Sequence, residues 1–541
     1  MGKKRFIYFL IFIFIISSVA GCKALTSQEQ DEQKSTLQKT EISKGGTVKT
    51  FLIEPSSLDP AHARESEAFQ VVKEIFDGLV DYDPNTLEII PAIAERWEVS
   101  EDATVFTFYL KEGILFHNNR ECVAQDFVYS WSRAANKDTA SEVAYHLAPI
   151  VGFEECQSGT KTVLAGLETP DNYTLVVRLK YSFADFIQVI GHPVFSPVPQ
   201  EEVEKGEDKF SSNPVGTGPF RFIDWKHDSE ISLENFKDYY GENANIDTLI
   251  FKIFADLDTA LLEFKNKSLD ITPVPPGQYK ALMADTGIKN LINTNPLLAV
   301  YYYGFVFSKS PYKEVKELRQ ALSCLIDREK ISEVIMENLS KPATGFVPEG
   351  IYGYKKNMMD NVYDPEKAKG LLIKAGYPNG EGLPKLVIGY AKGASHDEIA
   401  QIVQDAVKEV GIKVELLSYE WLDLINKAAS GDVDLYSMGW VADYPTMDSF
   451  LYPNFHSDSG DNYGMYNNPE INKALEEARK TSDDKERVEK YRQIEEKILD
   501  DGATIPIYFS QARRLIQSNI QGVVVTPLDE IHYELLWVKT E

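Results

Sequence analysis

The chain has 541 residues, 43% hydrophobic and 26% charged, a globular composition with length enough for two or three domains and large cores. A net charge of −27 argues against nucleic acid or an anionic surface as a partner. There is no basic stripe, no long low-complexity tract and no repeat of solenoid period.

The chain opens with "MGKKRFIYFLIFIFIISSVAGC". Lys3, Lys4 and Arg5 precede an apolar run over 6–16 that is short for a membrane span, and small residues follow it. This is a secretory signal pattern, and its end, Val19-Ala20-Gly21-Cys22, resembles the bacterial lipobox, whose cysteine is lipidated and becomes the new N-terminus. An uncleaved N-terminal anchor is the alternative. Residues 23–44 are rich in Gln, Glu, Lys, Ser and Thr without apolar period, which predicts a flexible tether. With Cys22 set aside, Cys122, Cys156 and Cys324 remain, an odd number without a CxxC. That is no disulfide framework: Cys122 and Cys156 either pair or stay as buried thiols.

Folded protein is expected from Thr47, at "TVKTFLIE". In 66–80, Phe69, Val72, Ile75, Phe76 and Leu79 fall on one helical face. Period-two alternation predicts strands at 104–110 and 172–180. "PVGTGPFRF" (214–222) is a turn feeding a strand, and 248–254 and 298–307 read as buried strands. Next come a helix over 364–376 stopped by Gly376, a strand at 385–391, and a helix over 395–411 capped by Ser395 and ended by Gly411. A strand at 412–418, a helix and a strand at 433–439 complete a βαβαβ unit, so these three strands are expected to be parallel.

Open parallel sheets bind ligands beyond the carboxyl ends of their strands. Trp421 follows the strand at 412–418, while Trp440 and Asp443 follow the one at 433–439, so all three are placed on one sheet edge. A carboxylate there can meet a cation between indole walls. The plainer alternative makes Trp440 a core residue and Asp443 a turn residue ahead of Pro445.

Several longer blocks occur in order: "IFDGLVDYDPNTLEIIPAIAERWEVSEDATVFTFYLKEGILFHN" (75–118), "VAQDFVYSWSRA" (123–134), "VGTGPFRFIDW" (215–225), "YYYGFVFSKSPYKEVKELRQALSCLIDREKI" (301–331) and "GWVADYPTMDSFLYPNF" (439–455). Over residues 45–541 the chain resembles the extracytoplasmic peptide-binding components of ABC transporters, of the OppA/DppA type. The resemblance implies an α/β, two-lobed periplasmic-binding-protein fold, type II, with a hinge and an added subdomain in lobe one. Carried onto this chain, 1–22 is the signal and lipobox and 23–44 the tether. Lobe one is 45–84, 213–307 and 505–541, the added subdomain 85–212, and lobe two 308–504, with crossings near 307–311 and 504–507. It implies that Asp443 pairs with a peptide α-ammonium, and that Trp440, Trp421, Gly439 and Tyr444 belong to the same ligand site. It implies an oligopeptide ligand, permease and ATPase partners, a monomer held at the outer face of the bacterial cell membrane by lipid on Cys22, no cofactor and no enzymatic activity. This chain has Ala428 and Ser437 where some relatives carry arginines for the peptide carboxyl end, and no arginine anywhere from 421 to 440. A sugar or other solute binder of the same fold, and a receptor for peptide signals, are the alternatives.

An exported hydrolase finds little support. There is no HExxH or GxSxG; the SxxK matches at Ser310 and Ser482 lack their companion motifs, and "GTGPF" lacks the Lys-Ser/Thr of a phosphate loop. The eight histidines are scattered, without metal-ligand spacing.

Overall fold

The computed structural model describes residues 42–308, 311–393 and 395–539; Cys22 lies outside them. The expected βαβαβ unit is present. Leu386–Ala391 pairs in parallel with Val414–Tyr419 on one side and with Leu435–Val441 on the other. Helices His396–Glu409 and Trp421–Ala429 make the crossovers. The apolar stripe of the first, Ile399, Val403 and Val407, is buried against Leu386, Ile388 and Leu435 of the sheet.

This unit is one end of an eleven-stranded sheet. Leu435–Val441 pairs antiparallel with a long strand, Ile292–Phe305, which pairs antiparallel with another, Thr504–Ile516. Beyond them come Ile271–Pro273, Thr47–Leu52 and Thr248–Ile253, and the sheet ends in the antiparallel strands Glu230–Asn235 and Phe220–Lys226. The two long strands are therefore shared by both ends of the sheet, and each end has its own core. One core is built around Val48, Val72, Leu233 and Phe251, the other around Leu322, Ile388, Val403 and Leu435. A separate antiparallel sheet, ordered Ala94–Val99, Val105–Leu110, Thr174–Arg178, Leu167–Asp171, packs with helix Ala124–Ala135. The helix buries Phe127 and Trp131, and the Trp131 indole donates to the Phe195 carbonyl at 2.7 Å.

Three expectations need adjustment. The helix begun at Ser66 stops at Ile75 and Phe76 is extended, so Leu79 leaves the helical face and reaches the core from the chain ahead of the strand Val80–Tyr82. The cause is the GTG turn. Gly218 N–H donates to the Ile75 carbonyl at 2.8 Å, and a Cβ on Gly216 would stand 2.0 Å from that oxygen. Only glycine lets one backbone lie this close against another. Ser395 precedes its helix with φ of 68° and makes no side-chain cap bond. Leu435–Val441 runs two residues further than expected, so Trp440 and Val441 are strand residues rather than loop residues. Gly376 and Gly411 do end their helices, with φ of 87° and 85°. Cys122, Cys156 and Cys324 are buried free thiols. No helix among the described residues is long and apolar enough to cross a membrane.

Candidate ligand-binding cleft

At the carboxyl edge of Leu435–Val441 the sheet opens onto a cleft of about 580 Å³. Trp421, Gly439, Trp440 and Asp443 line it together, as the topology requires. The facing wall comes from Glu54 and Ser56 after the first strand, from Arg64, Glu67 and Lys73 on or near helix Ser66–Ile75, and from Asp529 and Glu530 near the C-terminus. Trp421 is 40% exposed and Trp440 half-buried, so both indoles offer apolar surface.

Tyr444 is placed differently. It is fully buried, and its hydroxyl donates to Asp448 Oδ2 at 2.8 Å. It belongs to the support under the site. Asp448, also fully buried, accepts from Arg479 Nε at 2.8 Å, from Arg479 Nη2 at 2.7 Å and from the Tyr491 hydroxyl at 2.6 Å. Burial raises its pKa, but the Arg479 charge and these hydrogen bonds outweigh burial and hold the carboxyl below its ordinary value. The Arg479 guanidinium also lies 3.2 Å from the Tyr452 ring centre. This cluster fixes the start of helix Asp448–Phe455, whose Ser449 then fixes the site. Ser449 O accepts from the Trp440 indole at 2.7 Å, and Ser449 Oγ accepts from the Asp443 backbone N–H at 2.9 Å.

The Asp443 carboxylate makes no ion pair or side-chain hydrogen bond among the described residues. Desolvation raises its pKa well above the ordinary carboxylate range, Asp461 adds repulsion, and Lys73 offsets part of the shift. Asp461 itself accepts from Tyr145 at 2.7 Å and Tyr463 at 2.8 Å. Lys73 is paired with Glu530. Behind Asp443 lie His146 and His192, their rings 4.2 Å apart. Burial holds both imidazoles neutral, His146 down to about 3. His146, His192 and Asp443 bring ligand atoms within 4.8 Å of one another. However, His192 Nδ1 accepts from the Val194 N–H at 3.1 Å, so the neutral ring carries its proton on Nε2 and has no second lone pair for a metal.

Lys73, Arg64 and Asp461 were not singled out by sequence reasoning. Lys73 interrupts an apolar helix as any solvent-facing lysine would, and only the fold brings it opposite Asp443. Ala428 and Ser437 are buried and neither lines the cleft.

The family model for bacterial extracellular solute-binding proteins, family 5 Middle, matches residues 88–462. The chain is 28% identical to the dipeptide-binding protein of Escherichia coli K12, over 85% of this chain and 88% of that one. It is 28% identical to the oligopeptide-binding protein OppA of Bacillus subtilis 168, over the full length of both. Among solved structures, the murein tripeptide binding protein MppA of Escherichia coli superposes with a TM-score of 0.83 at 27% identity, over 92% of this chain and 100% of that one. MppA in its unliganded open form, covering 92% and 98%, gives 0.68 at 28% identity. OppA of Haemophilus influenzae in complex with RPPGFSPFR gives 0.82 at 26% identity, over 92% and 100%. The architecture is the two-lobed α/β fold of these binding proteins, and the chain belongs to the bacterial extracellular solute-binding proteins, family 5.

Proposed function

We propose that this protein captures oligopeptides between two closing lobes and delivers them, as the substrate-binding subunit of an ABC importer, to a membrane permease and its ATPase. The observation that carries the reading is Asp443: a desolvated carboxylate without a cationic partner at ion-pair distance, in a cleft that two indoles also line at the edge of the sheet. A peptide α-ammonium supplies the missing charge, and a neutral sugar does not. The names of the peptide-binding relatives reported above agree with it. Binding alone is needed, with no chemical step. Native mass spectrometry of protein purified without refolding is expected to show a ladder of peptide masses; a ladder of hexose masses overturns the reading.

Strand pairing supports a hinge ahead of the expected 307–311 in the first long strand and just past the expected 504–507 in the second. Ile292 to Pro296 pair with Leu515 to Gln511, the register then shifts, and Val300 pairs with Phe509 while 299–305 pair with 435–441. The hinge is therefore assigned to 296–300 and the facing 509–511, with lobe one at 45–84, 213–296 and 511–541, the added subdomain at 85–212, and lobe two between the crossings. On this division, the ion pair between Arg487 and Asp185, at 2.9 Å, and the bond from Tyr145 to Asp461 clasp the subdomain to lobe two.

The signal pattern and the lipobox-like end at Cys22 support a protein held outside the cytoplasm by lipid on Cys22, and the reading takes it to act as a monomer. Cys22→Ser is expected to release the chain from membrane fractions or to block its processing. A variant processed and membrane-bound like the wild type would exclude the lipoprotein assignment.

A further inference from the structure

A second cavity, of about 90 Å³, adjoins the cleft and shares Phe69, Gln70, Lys73, Pro193 and Glu530 with it. Its wall holds five carboxyl groups, Glu74, Asp77, Asp81, Glu530 and Glu534, against the two bases Lys73 and His532. Lys73 is already paired with Glu530 at the shared boundary, and His532 with Glu534 at 2.9 Å. Glu74 is only 5% exposed and its Oε2 has no hydrogen-bond partner; Asp77 Oδ2 is likewise buried and unpartnered. A buried acceptor left without a donor costs about 1–3 kcal/mol. These carboxyls sit where the GTG turn clamps the end of helix Ser66–Ile75, with the Asp77 N–H held by Thr217 Oγ1 at 3.2 Å, which fixes the backbone that carries them.

We propose that this cavity is a side pocket of the binding cleft that takes the basic side chain of a lysine-containing peptide, with the ammonium meeting Glu74 and Asp77. The inference rests on the peptide reading of the cleft. The volume equals that of about three waters, room for an ammonium and its last methylene groups. A single metal ion fits less well. Among the described residues, the cluster compact enough to hold one is His146, His192 and Asp443, and these carboxylates are spread wider than the 2.3–2.6 Å bonds to calcium allow. An ammonium carries three donors and reaches separate acceptors through longer hydrogen bonds. Burial and the neighbouring carboxylates Glu534 and Asp77 push Glu74 well above the ordinary range; burial raises Asp77 to about 7, against the lowering influence of the nearby Tyr240 and Tyr239 hydroxyls. Both carboxyls are therefore stabilised in their ionised form by an incoming cation.

Calorimetry with trilysine and with its side-chain-acetylated form, each keeping a free α-ammonium, tests the proposal at physiological salt, where long-range attraction is screened over about 8 Å. Trilysine is expected to bind about tenfold more tightly or better, and the ratio is expected to fall towards one in Glu74→Gln/Asp77→Asn. Equal affinities in the wild type, or a ratio that survives in the variant, overturns the pocket and leaves peptide binding standing. Failure of both peptides to bind removes the peptide reading and the pocket with it. Saturable calcium binding lost in Glu74→Gln assigns the cavity to a metal instead and overturns the proposal. Should the double variant not fold, a crystal structure of the wild type with trilysine decides: a lysine Nζ within hydrogen-bond distance of Glu74 or Asp77 supports the pocket, and its absence from the cavity rejects it.

Discussion

Asp443→Asn is expected to weaken peptide binding by roughly ten- to a thousandfold, with little change in fold. The substitution keeps the shape of the side chain, and its backbone N–H still reaches Ser449 Oγ. What is lost is a charge-assisted hydrogen bond worth roughly 1.5–3 kcal/mol, or about 3–5 kcal/mol when the partner's charge is left buried and uncompensated. At about 1.4 kcal/mol per decade these values give the stated range. The ligand offers the matching control. N-acetylation removes the ammonium, weakens wild-type binding by a comparable factor and matters little to the Asn variant. Calorimetry on the four combinations isolates the coupling, and additive losses would reject the pairing. The pH dependence has a defined sign. Desolvation, then Asp461, raises the Asp443 pKa in the unliganded protein, and only the ionised form pairs with an ammonium. Affinity therefore falls as pH drops through that raised value, and the Asn variant loses this part of the profile.

The largest stability effect is expected at Arg479. Arg479→Leu leaves Asp448 buried with two tyrosine hydroxyls and no countercharge, at a cost of about 3–5 kcal/mol in denaturant unfolding. The double variant Asp448→Leu/Arg479→Leu is expected to lose less, because no uncompensated charge remains. If the single and double variants are equally unstable, packing on the Tyr452 ring rather than charge is what Arg479 contributes. Acid tests the same pair. The folded Asp448 carboxyl lies below its ordinary value, so its contribution is fully present above the unfolded value of about 3.9 and is lost as pH falls through the folded one. Ligand affinity follows stability here, since Ser449 holds both Trp440 and Asp443.

The parallel unit of residues 386–441 was legible because two helical periods with glycine stops alternate with short apolar strands. Right-handed crossovers leave one arrangement for such a pattern, and that arrangement puts Trp421, Trp440 and Asp443 on one edge. The facing wall was not legible. Lys73 and Glu67 come from a segment hundreds of residues away in sequence and Glu530 from near the far end of the chain, and nothing local distinguishes a lysine that faces a cleft from one that faces water. Tyr444 was misplaced for a related reason. It follows Asp443 directly, and alternation beyond the strand end turns its side chain away from the cleft onto Asp448. The end of helix Ser66–Ile75 was missed because the signal lies 140 residues downstream, in the glycines that let the GTG turn press on its last carbonyl.

The register shift between Pro296 and Val300 bears on affinity as well as on shape. Pro296 has no N–H to give to the ladder, so pairing between the two long strands is already interrupted there, and bending breaks few hydrogen bonds. On the proposed closing of the lobes, the measured dissociation constant equals the intrinsic one divided by the fraction of molecules already closed. On the proposed hinge, and unlike changes at Ala299 and Val300, which pair with Val441 and Trp440 of the cleft strand, substitutions at Pro296 act on that fraction alone. They scale the affinity for every ligand by one common factor and leave the ratio between any two ligands untouched, so tightness of binding and choice of peptide are adjusted by separate parts of the chain.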